Sequence, residues 1–193
     1  MDLRSYYRKC RTVLNDIIYI VRNIHAAYRL PTFSDEAMNG ILFRAFTKKD
    51  LDRIESIYKM LNLGQNLSSR NITLLKLIGK KICSVVEKDG QGVIAFNLFY
   101  FNPRDIKEGT IHNAYAGFLP VCQGGGIGKR LYAYAVSHFS KTCLSGISGR
   151  ISLSNFPPFK ITTALGYKVV EKYFDPEMDE ERVYIRLNFY DNS

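Results

Sequence analysis

No stretch of this chain approaches the ~20 consecutive apolar residues that a membrane-spanning helix needs, so that class of protein is excluded. The first residues also lack a signal peptide's uninterrupted apolar run. Asp2, Arg4, Arg8, Lys9 and Arg11 come first and Asp16 interrupts the apolar positions beyond them, so a cytoplasmic protein is expected. Cysteine is scarce. Cys10, Cys83, Cys122 and Cys143 show neither C-x-x-C spacing nor the density of a disulfide framework, which points to reduced thiols and no metal site. Repeats and low-complexity tracts are missing. Cations are scattered apart from residues 4–11, rather than clustered on one element with aromatics between them, and this speaks against nucleic acid as a partner.

What is present is an ordinary globular composition, 46% hydrophobic and 23% charged, over 193 residues, enough for one domain with an additional element. The net charge of +9 favours anionic partners without naming one. In residues 1 to about 28, apolar positions Leu3, Tyr6, Tyr7, Cys10, Leu14, Ile17, Ile18, Val21, Ile24 and Tyr28 recur at three and four, which predicts a helix that Pro31 ends. Such a helix packs on the main domain or on a second copy of the chain. Alternatively its basic, aromatic character lets it rest on an anionic membrane surface. Residues 1–40 are read as a helical extension and 41–193 as the main domain.

From residue 41 the hydrophobic period alternates. "ILFRAF" (41–46) predicts a strand. The next run predicts a helix, with Thr47 or Asp50 as cap and Leu51, Ile54, Ile57, Tyr58 and Leu61 as its stripe. A second helix is predicted over 68–79, and after it two strands joined by a tight turn at Lys88-Asp89-Gly90-Gln91. Strands at 110–120 and 148–153, helices at 126–140 and 158–165, and two closing strands at 167–174 and 182–190 complete the order. That order describes a mixed sheet with helices on its faces, so α/β or α+β.

The segment "VCQGGGIGKRLYAYAV" (121–136) carries the strongest chemical signal. Gly124, Gly125, Gly126 and Gly128 lie between a strand and a helix, where bare backbone brings N–H groups close to a ligand. The first N–H groups of a helix lack internal partners and lie at its positive end, and such a site takes a phosphate or pyrophosphate. Lys129 and Arg130 add charge. A turn serving chain reversal alone is the plainer alternative, but it does not require four glycines in five positions. A P-loop is excluded because Gln123 and Arg130 stand where it needs glycine and Ser or Thr. The dinucleotide pattern G-x-G-x-x-G fails at Leu131.

Gln123-Gly124-Gly125-Gly126-Ile127-Gly128 does fit Gln/Arg-x-x-Gly-x-Gly/Ala, three residues after "FLP". On this motif the chain resembles the GNAT superfamily of N-acetyltransferases. "SNFPPFKITTALGYKVVEKY" (154–173) resembles a second segment of that family, Asn-x(6)-Tyr-x(3)-Gly-Phe, with Asn155, Leu165, Gly166 and Tyr167 at the matching offsets. The resemblance covers residues from about 41 to 190. It implies a mixed, mostly antiparallel central sheet flanked by helices, preceded here by the extra N-terminal helix. It also implies acetyl-CoA or another acyl-CoA as co-substrate, without a metal, and transfer to an amine by direct attack in a ternary complex.

By the same resemblance, Ala116, Gly117 and Phe118 splay from the neighbouring strand to meet the pantetheine arm and hold the oxyanion. Backbone from Gly124 through Lys129 meets the pyrophosphate, and Asn155 contacts the CoA arm, caps a helix, or does both. His112 falls where relatives carry a glutamate base; the plain alternative is a strand histidine hydrogen-bonded to a neighbour. Thr162 stands at the family's tyrosine acid position, a departure that leaves the acid to water, to another group, or to none. Tyr115 and Tyr167 read as core or pocket wall, His138 as structural or exposed, and His25 has no counterpart. The basic balance favours a small, anionic amine acceptor, an aminosugar or amino acid, over polyamines. The aromatic "NLFYFNP" (97–103) either lines a channel for a longer acyl chain or is a buried strand. A protein acceptor, or a CoA-binding module without catalysis, stays as the alternative function.

Overall fold

The computed structural model describes residues 3–190. Residues 1–2 and 191–193, and the side chains of 3–6, lie outside the described residues, and with them Asp2, Arg4 and the first apolar positions of the predicted N-terminal stripe. The chain forms α1 (Leu3–Ala26), β1 (Glu36–Met38), β2 (Ile41–Ala45), α2 (Leu51–Leu61), α3 (Ser69–Ile82), β3 (Cys83–Lys88), β4 (Gly92–Tyr100) and α4 (Pro103–Glu108). It continues with β5 (Thr110–Phe118), α5 (Ile127–Phe139), β6 (Gly146–Ser152), α6 (Phe156–Ala164), β7 (Lys168–Asp175) and β8 (Glu180–Asn188). The strands build one sheet in the order β1-β2-β3-β4-β5-β6-β8-β7, antiparallel except where β5 meets β6. That single parallel pair exists because α5 carries the chain back across the sheet between them. Among the described residues no helix is long and apolar enough to cross a membrane.

Two elements depart from the sequence expectation. β1 extends the sheet inside the segment read as helical extension, turning back at Asn39 and Gly40, both at positive φ (51° and 72°). The Asn-Gly pair is the local signal of that hairpin. α4 is the second, a short helix between β4 and β5. Asn102 caps it by accepting from the Asp105 N–H (3.0 Å), Pro103 opens it, and Gly109 in the left-handed region closes it. Other ends differ by about two residues, as at β6 and α6.

Elsewhere local chemistry explains the elements. Thr47 and Asp50 form a reciprocal cap ahead of α2, and Arg44 grips the same Asp50 carboxylate with two bonds (2.7 and 2.8 Å). At the predicted turn the Gln91 N–H donates to the Lys88 carbonyl (3.0 Å), with Gly90 at φ +70°. Successive residues of β4 face opposite sides, so Phe96 meets Ile57 of α2 while Phe99 meets Phe139 of α5. The sheet is thereby covered on both faces, by α1, α2 and α3 on one and by α5 and α6 on the other. Asn97, Leu98, Phe99 and Phe101 are buried in this core; the stretch at 97–101 is a buried strand and its exit.

α1 is fastened at its C-terminal half. The Tyr19 hydroxyl donates to Asn71 of α3 (2.8 Å). Asn23, fully buried, accepts from the Phe101 N–H (2.6 Å) and donates to the Phe101 carbonyl (3.1 Å). Two polar clamps therefore locate an otherwise apolar contact.

Candidate active site

Pairing between β5 and β6 runs from Thr110↔Gly146 to Asn113↔Gly149 and stops there, although β5 goes on to Phe118 and β6 to Ser152. Beyond Asn113 the two strands part. β5 stays with β4 and β6 stays with β8. The parting has a local cause. The β4–β5 register shifts where Leu98 faces Tyr115 and Phe99 faces Asn113, leaving Ala114 as an extra residue, and such a bulge bends its strand.

A cleft of about 950 Å³ fills the opening. β5 contributes Asn113 through Phe118 and β6 contributes Ser148 through Ser152. On the α2 side Tyr58, Asn62, Arg150, Glu180 and Arg182 line it, and towards α5 and α6 Tyr132, Asn155, Pro158, Thr162 and Tyr167. Gly117 is required by packing, because a Cβ there would run into the Phe96 ring and Ile57. Ala116, Gly117 and Phe118 lie on β5 beyond its last pairing with β6.

Just past that edge lies the glycine loop. Gly124 (φ +77°) and Gly126 (φ +69°) adopt the left-handed conformation, and Gly126 is the residue before α5. The backbone N–H groups from Gly124 through Lys129 have no acceptor among the described residues, while those of Gln123 and Arg130 are satisfied by Pro120 and Gly126. Gly124, Gly125 and Gly126 are exposed, and a Cβ at Gly124 or Gly126 would meet nothing within 4 Å. Gly128 is different, since a Cβ there would lie 3.3 Å from Ile161, so it lets α5 approach α6. Six free donors at the positive end of a 13-residue helix fit a diphosphate.

The side chains singled out from the sequence divide between cleft and core. Asn155 takes the residue before α6, yet makes no capping bond; it is exposed and lines the cleft, which removes the cap role. Thr162 lines the cleft but is buried, and its hydroxyl is spent on the Pro158 and Phe159 carbonyls (2.9 and 3.1 Å) one turn back. His112 is buried and is not among the lining residues. The Ser148 hydroxyl donates to Asp105 (2.6 Å), so its oxygen accepts from His112 Nδ1 (2.7 Å), which places the ring proton on Nδ1. Burial, with Arg150 and Arg182 nearby, lowers the His112 pKa to about 3. His138 stacks on Phe33 at 3.8 Å and is structural, and His25 is exposed at the end of α1.

Tyr132, Arg150 and Arg182, missed from the sequence, complete the site with Tyr167, which reads from the sequence as core or pocket wall. Tyr132 and Tyr167 line the cleft with hydroxyls that bond no described residue. Burial pushes Tyr132 up to about 12 and Tyr167 higher still, so both hold their protons at neutral pH. Arg182 is tied to Asp175 (3.3 Å) and Glu180 (3.5 Å), whereas Arg150 is exposed and makes no ion pair with a described residue. Alternation along β6 puts Ser148, Arg150 and Ser152 on one face, but only the fold shows that this face borders the cleft. Among the described residues no cluster of His, Cys, Asp or Glu could hold a metal.

No family model matches the sequence, and no curated protein is similar to it in sequence. Solved structures do match. The chain is similar to the yncA protein of Salmonella typhimurium, solved with its cofactor acetyl-CoA, at 18% identity and a TM-score of 0.65, covering 80% of this chain and 97% of that one. An acetyltransferase of the GNAT family from Bacillus cereus matches at 18% identity and TM-score 0.62, over 78% and 98% of the two chains. The diaminobutyrate acetyltransferase of Paenibacillus lautus, solved with L-2,4-diaminobutyric acid and coenzyme A, matches at 16% identity and TM-score 0.61, over 83% and 99%. At such identities the likeness is one of fold.

Proposed function

We propose that this chain, whose fold is that of the GNAT N-acetyltransferases, is an acyl-CoA-dependent N-acyltransferase, and that its acceptor is a small amine bearing a carboxylate or similar anion. The observation that carries the reading is the parting of β5 from β6 beyond Asn113↔Gly149, directly beside six unpartnered N–H groups. Neither feature serves the stability of a sheet or a turn. An open strand edge forfeits ladder bonds, and orphaned donors at a helix start are retained where an anion meets them.

In this proposal Gly124 through Lys129 hold the pyrophosphate and the free edge at Ala116, Gly117 and Phe118 pairs with the pantetheine arm. Bound there, acetyl-CoA supplies an activated acyl thioester. The chain's own work is then to orient the acceptor, hold the carbonyl oxygen as charge develops on it, and return a proton to the sulfur. Backbone N–H groups of the splayed edge suit the second task. Tyr132 suits the third, being protonated, cleft-lining and unpartnered; Thr162, with its hydroxyl committed to its own helix, does not.

The base predicted at His112 is revised on the same grounds. A histidine titrating at about 3 is a weak base at neutral pH, so His112 serves to fix Ser148, and the acceptor reaches the thioester as its free amine. Arg150 supports the anionic acceptor, because an exposed guanidinium without an ion-pair partner among the described residues, at the cleft wall, is available to a carboxylate. The amino acid bound by the Paenibacillus lautus protein is of this chemical kind.

Thiol release from acetyl-CoA across a panel of amines, with and without carboxylates, tests the reading. Turnover confined to carboxylate-bearing amines is expected. Failure to bind acetyl-CoA at millimolar concentration would defeat the acyltransferase proposal, and preference for polyamines would defeat the acceptor class.

A further inference from the structure

α1 carries two apolar faces and its own domain covers only one. Tyr19 and Asn23 point into the domain, whereas Tyr7, Cys10, Leu14, Ile17, Val21 and Ile24 lie on the opposite side, with Tyr28 the next step along. Leu14, Ile17 and Val21 are 56%, 52% and 60% exposed. Spacing along this seam alternates strictly between three and four from residue 7 to residue 28, the pattern of a coiled-coil a/d seam. Residues 7–15 are exposed on every side, so the first half of the helix stands clear of the body. A helical segment of that length is marginal in water without a partner along its apolar side.

We propose that a second copy of this chain covers the seam, through an antiparallel pairing of the two α1 helices. A two-fold pairing presents the same stripe to itself, so one sequence satisfies both sides. Val13 and Ile18, 59% and 51% exposed, flank the seam and widen it. Together the exposed apolar side chains offer on the order of 900 Å² per copy, comparable with the ~800 Å² per partner of stable interfaces. Orientation follows from charge. Arg8, Lys9 and Arg11 crowd the free arm, with no acidic side chain described before Asp16. Parallel pairing sets these cations against their own copies. Antiparallel pairing moves the two clusters roughly 20 Å or more apart, beyond the Debye length of about 8 Å, and lays each arm along the partner's exposed Val21, Ile24 and Tyr28.

Sedimentation of the full chain at 1–100 μM tests this, with a dimer of twice 22.1 kDa expected. Leu14→Glu with Ile17→Glu should yield a monomer whose circular dichroism retains the sheet signal and whose acetyl-CoA binding is unchanged. A cross-linking arm reads orientation independently. In a Cys143→Ser background, oxidation should leave Cys10 unlinked to its copy, whereas Val21→Cys should link to it across the interface. A wild-type monomer throughout the range overturns the proposal, as does a monomer that sediments with phosphatidylserine vesicles. A Cys10–Cys10 bond overturns the antiparallel arrangement. None of these readouts depends on catalysis, so the acyltransferase reading stands or falls separately.

Discussion

Replacing Gly126 by Ala tests the anion site against an internal control. Gly126 and Gly90 have nearly the same backbone, φ +69° and φ +70°, and at both positions an added Cβ meets nothing within 4 Å. The steric cost of the substitution is therefore the same, about 1 kcal/mol for holding alanine in the left-handed region. In a chain of this length that lowers Tm by about 3 °C for either variant. Their surroundings differ: Gly90 sits in the β3–β4 turn, while Gly126 aims the unpartnered N–H groups that open α5. If the new alanine relieves its strain by turning to negative φ, at least one donor swings away. A hydrogen bond to a charged phosphate is worth about 1.5–3 kcal/mol, so the CoA dissociation constant should rise ~10–100-fold. Titration calorimetry with CoA and with pantetheine, which lacks the diphosphate, separates the contributions. Gly90→Ala should bind both as wild type, and Gly126→Ala should lose affinity for CoA alone. Unchanged CoA affinity in Gly126→Ala, or an equal loss for pantetheine, would refute the reasoning.

Four further outcomes are expected. Arg150→Ala should raise KM for carboxylate-bearing acceptors by about tenfold, leave other amines alone, and shift Tm by less than a degree or so, because no described residue is ion-paired to it. Thr162→Val should keep turnover within about twofold, since the hydroxyl donates to its own helix, and cost about 1 kcal/mol of stability by urea denaturation; a hundredfold loss of turnover would restore Thr162 as the acid. Asn23→Ala should destabilise by about 2–3 kcal/mol, because it orphans the buried Phe101 N–H while Arg22 still donates to the Phe101 carbonyl (3.0 Å). Stability should fall on acidification below about pH 6.5. His112 and His138 have folded pKa values of about 3 and about 4, both beneath the unfolded value, so the unfolded chain binds more protons there, at up to ~1.4 kcal/mol per pH unit for each. Asp105, raised by burial, works the other way nearer pH 4, and chemical denaturation at pH 6.5 and pH 5 reads the histidine contribution.

The element order, the Asp89-Gly90 turn, the stripe of α1 and the glycine loop are all legible in the sequence because each is written in neighbours along the chain. Backbone conformation and amphipathic period depend on residues a few positions apart, so Gly124, Gly126 and the seam from Tyr7 to Tyr28 announce themselves. β1 and α4 carry local signals too, in Asn39-Gly40 and Asn102-Pro103, but such pairs are equally at home in a plain loop. What only the tertiary structure decided are relations between distant segments. The β5–β6 parting joins residues 113–118 to 148–152, and it turns on a bulge whose register is set by β4. Arg150 becomes an open cation because, among the described residues, no acid from another element pairs with it. The Thr162 hydroxyl finds a carbonyl one turn back, and Ser148 and Asp105 close over His112. Sequence determines which conformations each segment prefers. Which side chains share a cleft, and which protons they keep there, depends on burial and neighbours that exist only once the segments have met.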